Sequence, residues 1–420
     1  MSVIKGQHIY LPRRQLDLSK WAVIACDQFT KDEEYWQALR SYTSDSPTAL
    51  DLIFPEIYLS RDNSERIKTI NKNMLTYYQN GLLQDEGLCM ILVNRSTKQH
   101  KQRLGIVMAV DLEEYSFKVE EPALIKASEI TIIDRIPARV EIRKDAVVEL
   151  PHILLFYDDR ELKIAENLFA KKDELEKVYD FTLNMEGGHI SGYKIKDINS
   201  VTKQFDQLLT PEYIQKTFNT NIPMLFAVGD GNHSLATAKE HWNTIKANLT
   251  EEEKIAHPAR YVLVEAINIH DKGIKFSPIH RVVFNAGRRF LKGLKKLYKV
   301  NPKKAPESSY IKQKILIGDK EEEFYLPSNT PFAVKLVQDY INKCIEKRFE
   351  MAVDCVYDEK SLKEVCSKKP NSIGITLPAI NKDQLFEFII KHGSLPRKSF
   401  SIGEPREMRY YLEAHKIKLI

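Results

Sequence analysis

Apolar residues along this chain fall into short runs and into helical spacing, and the two patterns alternate over most of its length. Trp21, Ala22, Val23, Ile24, Ala25 and Cys26 form an apolar run that ends in the polar pair Asp27-Gln28. Such a run predicts a buried strand, followed by a helix over about residues 31–39. Residues 61–80 carry Ile67, Ile70, Met74, Leu75 and Tyr78 at the spacing of an amphipathic helix, closed by Gly81. Three strand-like runs follow at 88–93, 103–111 and 115–119, separated by polar turns in the manner of an antiparallel meander. The stretches 127–134 and 139–143 predict a passage from helix to strand around Pro137.

Residues 151–157 predict a strand, with a charged helix beyond it to about 178. A turn at Gly187-Gly188 lies within 185–190, and 200–209 predicts another helix. The six-residue apolar strand 223–228 runs into Gly229-Asp230-Gly231-Asn232-His233 and then into a helix from Ser234 to about 246. Runs 261–269 and 274–284, joined by His270-Asp271-Lys272-Gly273, predict the two arms of a hairpin. Past about residue 301 the chain is Lys-rich, with short strands at 332–336 and 372–377 and helices at 338–348 and 382–391. No internal repeat is visible. This interleaving predicts a mixed α/β fold, α+β in character, with antiparallel and mixed sheets in two or three subdomains. The regions expected are 1–150, then 151–300 with the glycine turn, then 301–420.

Composition narrows the class. A chain of 420 residues exceeds one ordinary core. Its 43% hydrophobic and 10% aromatic content excludes extensive disorder. No apolar run approaches the roughly 18 residues of a membrane span, and residues 1–12 have no signal-peptide core. The balance of 63 basic to 58 acidic residues, a formal +5, carries no nucleic-acid signal. Five cysteines (Cys26, Cys89, Cys344, Cys355, Cys366) are widely spaced and form no C-x-x-C pair. A soluble protein of the reducing cytoplasm is expected.

The strongest local signal is Gly229-Asp230-Gly231-Asn232-His233-Ser234, where a buried strand gives way at once to a helix. Glycines let backbone approach a ligand, and the unpaired N–H groups of a helix start suit an anion, above all a phosphate. Asp230 and His233 are the candidate catalytic groups, a carboxylate to orient or deprotonate and an imidazole to relay a proton. The alternative is a tight turn with an Asx cap. His189 in a second glycine turn, and His280 and Arg281 in a third polar island, are candidate anion ligands; singly, each also reads as a surface or satisfied side chain. His189, His233 and His280 with Asp230 give only a weak metal signal, because H-E-x-x-H spacing is absent. Asp27 sits where an active-site loop follows a strand, although a loop-stabilising carboxylate is as good a reading. Cys26 ends an apolar run and reads as a buried inert thiol. Lys398 lies in a basic, hydroxyl-rich loop, 395–401.

Taken together, Ala25-Cys26-Asp27-Gln28-Phe29 with Tyr35-Trp36, Glu149-Leu150-Pro151-His152-Ile153, Gly187-Gly188-His189-Ile190, Val228 through Ser234, Pro278-Ile279-His280-Arg281 and Leu395-Pro396-Arg397-Lys398-Ser399 resemble, in order, the bacterial domain of unknown function family 1015. The resemblance spans about residues 18–415. Many members carry Asp-Gly-His-His-Arg where this chain has residues 230–234, a signature similar to the Asp-Gly-x-x-Arg turn of ParB/sulfiredoxin-like proteins, which include nucleotide-binding switches and a free-serine kinase. A ParB/sulfiredoxin-like element around the turn is therefore implied. Family genes often neighbour those of serine biosynthesis, which implies serine or phosphoserine as substrate. Asn232 and Ser234 replace a His and the Arg, so Arg281 or Lys398 would have to supply the positive charge.

The resemblance thus implies a phosphoryl-transfer enzyme on a small hydroxyl metabolite, kinase or phosphatase, with Mg²⁺ and ATP or ADP as the cofactors to test. Gly229, Gly231, Asn232, Ser234, His280, Arg281, Asp27, His189 and Lys398 are the expected phosphate or substrate ligands, with no resident metal. The other reading is a nucleotide-gated, ParB-like binding protein without turnover, and a metal-dependent hydrolase ranks last. A small-molecule partner is expected and a membrane is not; a homo-oligomer is left open.

Overall fold

The computed structural model describes residues 3–59, 63–132, 136–298, 300–348 and 350–419. Residues 61 and 62 of the expected helix, and 133 and 134 of the expected passage before Pro137, lie outside them. The fold is mixed α/β, with one large mixed sheet and several smaller sheets. Contacts divide the chain into two compact units. The first comprises Met1–Ala127, Thr131–Ile274 and Glu404–Ile420, and the second Ser128–Ile130 and Lys275–Gly403. The division is therefore an insertion of one unit into the sequence of the other, where the sequence suggests three consecutive regions.

The first unit is built on a sheet of eleven strands among the described residues. Its main path runs through Glu176–Thr182, His189–Ile195, Leu83–Ser96, Arg103–Asp111, Tyr261–Asn268, Leu154–Tyr157, Phe226–Asp230, Ile125–Ala127 and Tyr115–Ser116. The first five are antiparallel neighbours. Leu154–Tyr157 then runs parallel to Tyr261–Asn268 and antiparallel to Phe226–Asp230. Arg103–Asp111 and Tyr261–Asn268 are buried at every residue, which is why both read as near-continuous apolar runs. Helix side chains such as Phe205 and Trp242 pack with Leu155, Tyr157, Phe226 and Val228 in one hydrophobic core. Residues of the 404–420 segment complete this unit, Tyr410–Tyr411 pairing with Val23–Ile24 and His415–Lys416 with Val148–Glu149.

The second unit carries a five-stranded antiparallel sheet in the order Lys320–Pro327, Tyr310–Ile317, Ile373–Ile375, His280–Phe284, Ala352–Val356. Val282, Leu316, Leu362 and Cys366 form a core against one face.

Four local expectations fail for identifiable reasons. Residues 261–284 make no hairpin, because Tyr261–Asn268 is a central strand of the large sheet and His280–Phe284 belongs to the other unit. Residues 332–336 are helical, within Thr330–Ile345; the Asn329 side chain caps Phe332 N–H and Pro331 occupies the first turn, and these start signals outweigh the β-branched content. Residues 139–143 lie in the helix Ile136–Lys144. The charged helix after residue 157 stops at Ala170, and Glu176–Thr182 is an edge strand. No helix among the described residues is long and apolar enough to cross a membrane. All five cysteines are unpaired thiols.

Candidate functional site

The strand Phe226–Asp230 and the helix Asn232–Lys246 are separated by Gly231 alone. Gly231 makes the bend with φ of 82°, in the left-handed region that favours glycine. A Cβ there would lie 3.1 Å from both Cα and Cγ1 of Ile153 and 3.5 Å from Cδ2 of His152. The glycine is needed twice, for its conformation and for close approach to residues 152–153. It offers no side chain to cap the helix, so the positive end of the helix dipole is not countered from that position. Asn232 Oδ1 is buried without a hydrogen-bond partner. His233 Nε2 accepts from the Ile132 N–H at 3.4 Å, and its carbonyl accepts the Thr237 hydroxyl at 2.7 Å.

Beside this bend, within the first unit, lies a cavity of about 170 Å³. Much of its wall is apolar, including Ile53, Phe54, Met74, Ile142 and Ile153. His152, only 4% exposed, gathers the polar part. Its Nε2 is 3.2 Å from Ser234 Oγ, and its Nδ1 is 2.7 Å from the Tyr411 hydroxyl. Asp27 Oδ2 stands 3.8 Å from the same Nε2. The Tyr411 oxygen also accepts the Cys26 N–H at 3.3 Å. Burial pushes the Tyr411 phenol and the Cys26 thiol well up, so both keep their protons. Cys26, residues 149–153 and Ser234, from three motifs far apart in sequence, thus line one wall together with Tyr411.

The helix Ile136–Lys144 packs against Asn232–Lys246 and brings two arginines to the cavity. Arg139 pairs with Glu56, and Arg143 with Glu149. Glu149 also accepts from His415 Nε2. Burial raises the Glu149 carboxyl, but Arg143 and His415 outweigh it and bring it down to about 2. Arg143 is 13% exposed in its side chain, and its Nε and Nη2 are buried without a hydrogen-bond partner. A guanidinium has five N–H donors, so Arg143 keeps unengaged donors, buried beside the cavity. No group of three or more His, Cys, Asp or Glu among the described residues is arranged to hold a metal ion.

The other residues singled out from sequence lie elsewhere. Gly229 is in the strand, where a Cβ would come within 2.7 Å of the Phe156 ring. His189 is the exposed first residue of its strand and lies 3.1 Å from Asp180. Four strands stand between it and Phe226–Asp230, roughly 24 Å at the usual strand spacing, and it is not part of the cavity wall. His280, Arg281 and Lys398 belong to the second unit. Arg281 is 0% exposed. Its Nε bonds Gln338, its Nη1 the carbonyls of Ile279 and His280, and its Nη2 those of Arg397 and Lys398. All five donors are engaged, so Arg281 pins the 397–398 loop and has none left for a phosphate. His280 Nδ1 accepts the Leu377 N–H, and burial lowers its pKa. Lys398 is exposed with φ of 56°, and the N–H groups of Lys398 and Ser399 donate to the Glu129 carboxylate, each at 2.9 Å. Sequence reasoning passed over His152, Arg143, Glu149 and Tyr411 as site residues. His152 and Glu149 stand inside the motif Glu149-Leu150-Pro151-His152-Ile153; nothing local marks Arg143 or Tyr411.

The fold and cavity define a mixed α/β protein with an anion-suited glycine bend at a strand end. The chain belongs to the family described as "Protein of unknown function (DUF1015)", whose profile matches residues 10–354. No curated protein matches it. Among solved structures, a free serine kinase in complex with AMP is similar at 11% identity and a TM-score of 0.39, covering 74% of this chain and 91% of that one. A conserved hypothetical protein from Pyrococcus furiosus gives 10% and 0.35, covering 74% and 95%. A C-terminally truncated SbnI from Staphylococcus aureus gives 10% and 0.38, covering 71% and 83%.

Proposed function

We propose that the cavity binds the phosphate end of a small metabolite and that the protein transfers a phosphoryl group to or from a hydroxyl compound, serine or phosphoserine. The observation that carries this reading is the sharing of one cavity by the buried, partly unengaged guanidinium of Arg143, the start of the helix Asn232–Lys246, and His152 with Asp27. Phosphoryl transfer asks chiefly for positioning and charge neutralisation, which the first two supply, and for a proton carrier, which the third supplies. Asp230 and His233 lie in the bend beside the cavity and outside its lining, and would act on the hydroxyl or water from there. The preference for serine rests on the family resemblance. A cavity of about 170 Å³ is on the scale of one that holds benzene, about 150 Å³. It suits a small metabolite, and ATP or ADP would reach it with the terminal phosphate alone. Mg²⁺ would enter with such phosphates, since one or two carboxylates suffice for it.

Thermal melting with serine, phosphoserine, ADP and ATP, each with and without Mg²⁺, tests the reading, because a ligand at 100 times its Kd stabilises by about 2.7 kcal/mol. Phosphoserine should raise the melting temperature of the parent and not of Arg143→Met. No shift with any phosphate compound would overturn the proposal. A nucleotide shift without phosphoryl release or transfer would instead favour a nucleotide-gated binding protein.

A further inference from the structure

We propose, resting on that reading, that Ser234 accepts the phosphoryl group covalently, with His152 as its proton carrier and Asp27 beside the same ring nitrogen. Ser234 is half-buried on the cavity wall, in the first turn of its helix. Its Oγ lies 3.2 Å from His152 Nε2. The other nucleophile types on the wall are committed. The Thr237 hydroxyl donates to the His233 carbonyl. The Tyr411 hydroxyl is bonded to His152 Nδ1, and the Cys26 thiol keeps its proton.

The ring of His152 is oriented from behind. With Nδ1–H donating to the Tyr411 oxygen, which also accepts the Cys26 N–H, the Nε2 lone pair is turned to Ser234 Oγ. Asp27 stands 3.8 Å from that same Nε2, so the proton leaving Ser234 arrives beside a carboxylate. This is the arrangement of an activated nucleophile: a hydroxyl within hydrogen-bond reach of a base that a third group orients.

The chemistry balances with a phosphomonoester and water. Ser234 Oγ attacks phosphorus, the Oγ–P bond forms, and the ester P–O bond breaks. The hydroxyl proton passes to Nε2 and from there to the departing alkoxide, which leaves as the alcohol. Water then attacks phosphorus, the P–Oγ bond breaks, and the water proton returns through Nε2 to Ser234. Phosphomonoester and water become alcohol and inorganic phosphate. An acceptor alcohol in place of water gives transfer instead.

Phosphoserine and p-nitrophenyl phosphate are the probes, with acid quenching, intact-mass measurement and peptide mapping. A phosphoserine ester survives both acid and hydroxylamine, whereas phosphohistidine is lost in acid and an acyl phosphate is cleaved by hydroxylamine. The parent should gain one phosphoryl group at Ser234. Ser234→Ala should keep the phosphoserine melting shift and lose both label and turnover. His152→Asn should form the label roughly 10²–10⁴-fold more slowly; should that variant not fold, Asp27→Asn should slow the same step. Label at another residue, turnover in Ser234→Ala, or a melting shift in the parent without label or turnover overturns the covalent role alone. Absence of any melting shift in the parent overturns the binding reading as well.

Discussion

Replacing Glu149 with Gln asks whether Arg143 is held at the cavity wall by charge or by packing. In the native protein the Glu149 carboxyl receives Arg143 on one oxygen and His415 on the other. Its descent from an ordinary 4.5 to about 2 corresponds to about 3 kcal/mol at neutral pH, at about 1.4 kcal/mol per pH unit. An independent route agrees, since removing one partner of a buried ion pair costs roughly 3–5 kcal/mol. The sign follows from the direction of the shift. A carboxyl whose folded pKa is depressed stabilises fully above its unfolded value, and the contribution disappears as pH falls from about 4.5 to about 2. Parent and Glu149→Gln should therefore differ by about 3 kcal/mol at neutral pH and converge over that window. Urea unfolding followed by tryptophan fluorescence at stepped pH reads the difference. Other lowered carboxyls, such as Glu113 and Glu407, cancel because both proteins carry them. A gap that stays constant with pH, or one under about 1 kcal/mol at neutral pH, would refute the electrostatic account.

Gly231→Ala should lose about 1–2 kcal/mol from its left-handed backbone, with more from the 3.1 Å approach to Ile153, and should weaken the phosphoserine melting shift. Asp230→Asn should keep that shift while turnover falls roughly 10²–10⁴-fold; equal behaviour of the two variants would count against the bend as a binding element. Arg281→Met leaves the carbonyls of residues 397 and 398 without their donors, so amide exchange in that loop should rise and unfolding should come roughly 2–5 kcal/mol sooner; an unchanged exchange pattern would show that the loop is held otherwise. Cys26, its thiol raised by burial, should resist iodoacetamide in the native protein and react once unfolded, as peptide mapping of the label would show.

What was legible in the sequence was local. The helix Ser64–Gln79 shows its spacing plainly, and the bend at Gly231 is announced by an apolar run ending in glycine, aspartate, glycine. The strands Tyr310–Ile317 and Lys320–Pro327 are hidden because Lys320-Glu321-Glu322-Glu323 is an unbroken charged run, which masks the period of two. Asn329 and Pro331 announce a helix start, but the short apolar run 332–336 has no period that separates strand from helix. The site was legible in its motifs and not in its assembly. Asp27, His152, Ser234 and Tyr411 are brought together by strand pairings and tail contacts that span hundreds of residues. Arg281 looked like a ligand because an arginine beside a histidine suggests an anion, whereas the backbone carbonyls that consume it leave no mark in sequence.

The interruption of the first unit by residues 275–403 sets an order on synthesis. A ribosome adds about 5–20 residues per second. Once residue 274 has been made, the roughly 130 residues of the inserted stretch occupy it for about 6–26 seconds at that rate. Through that interval the large sheet has its strands, but His152 has no Tyr411 behind it and Glu149 has no His415. The inserted unit, whose sheet strands all lie between residues 277 and 401, can close during the wait. The nascent chain therefore carries an open-walled cavity until residues 404–417 emerge, and a translation arrest before that point leaves His152 without Tyr411 and Glu149 without His415.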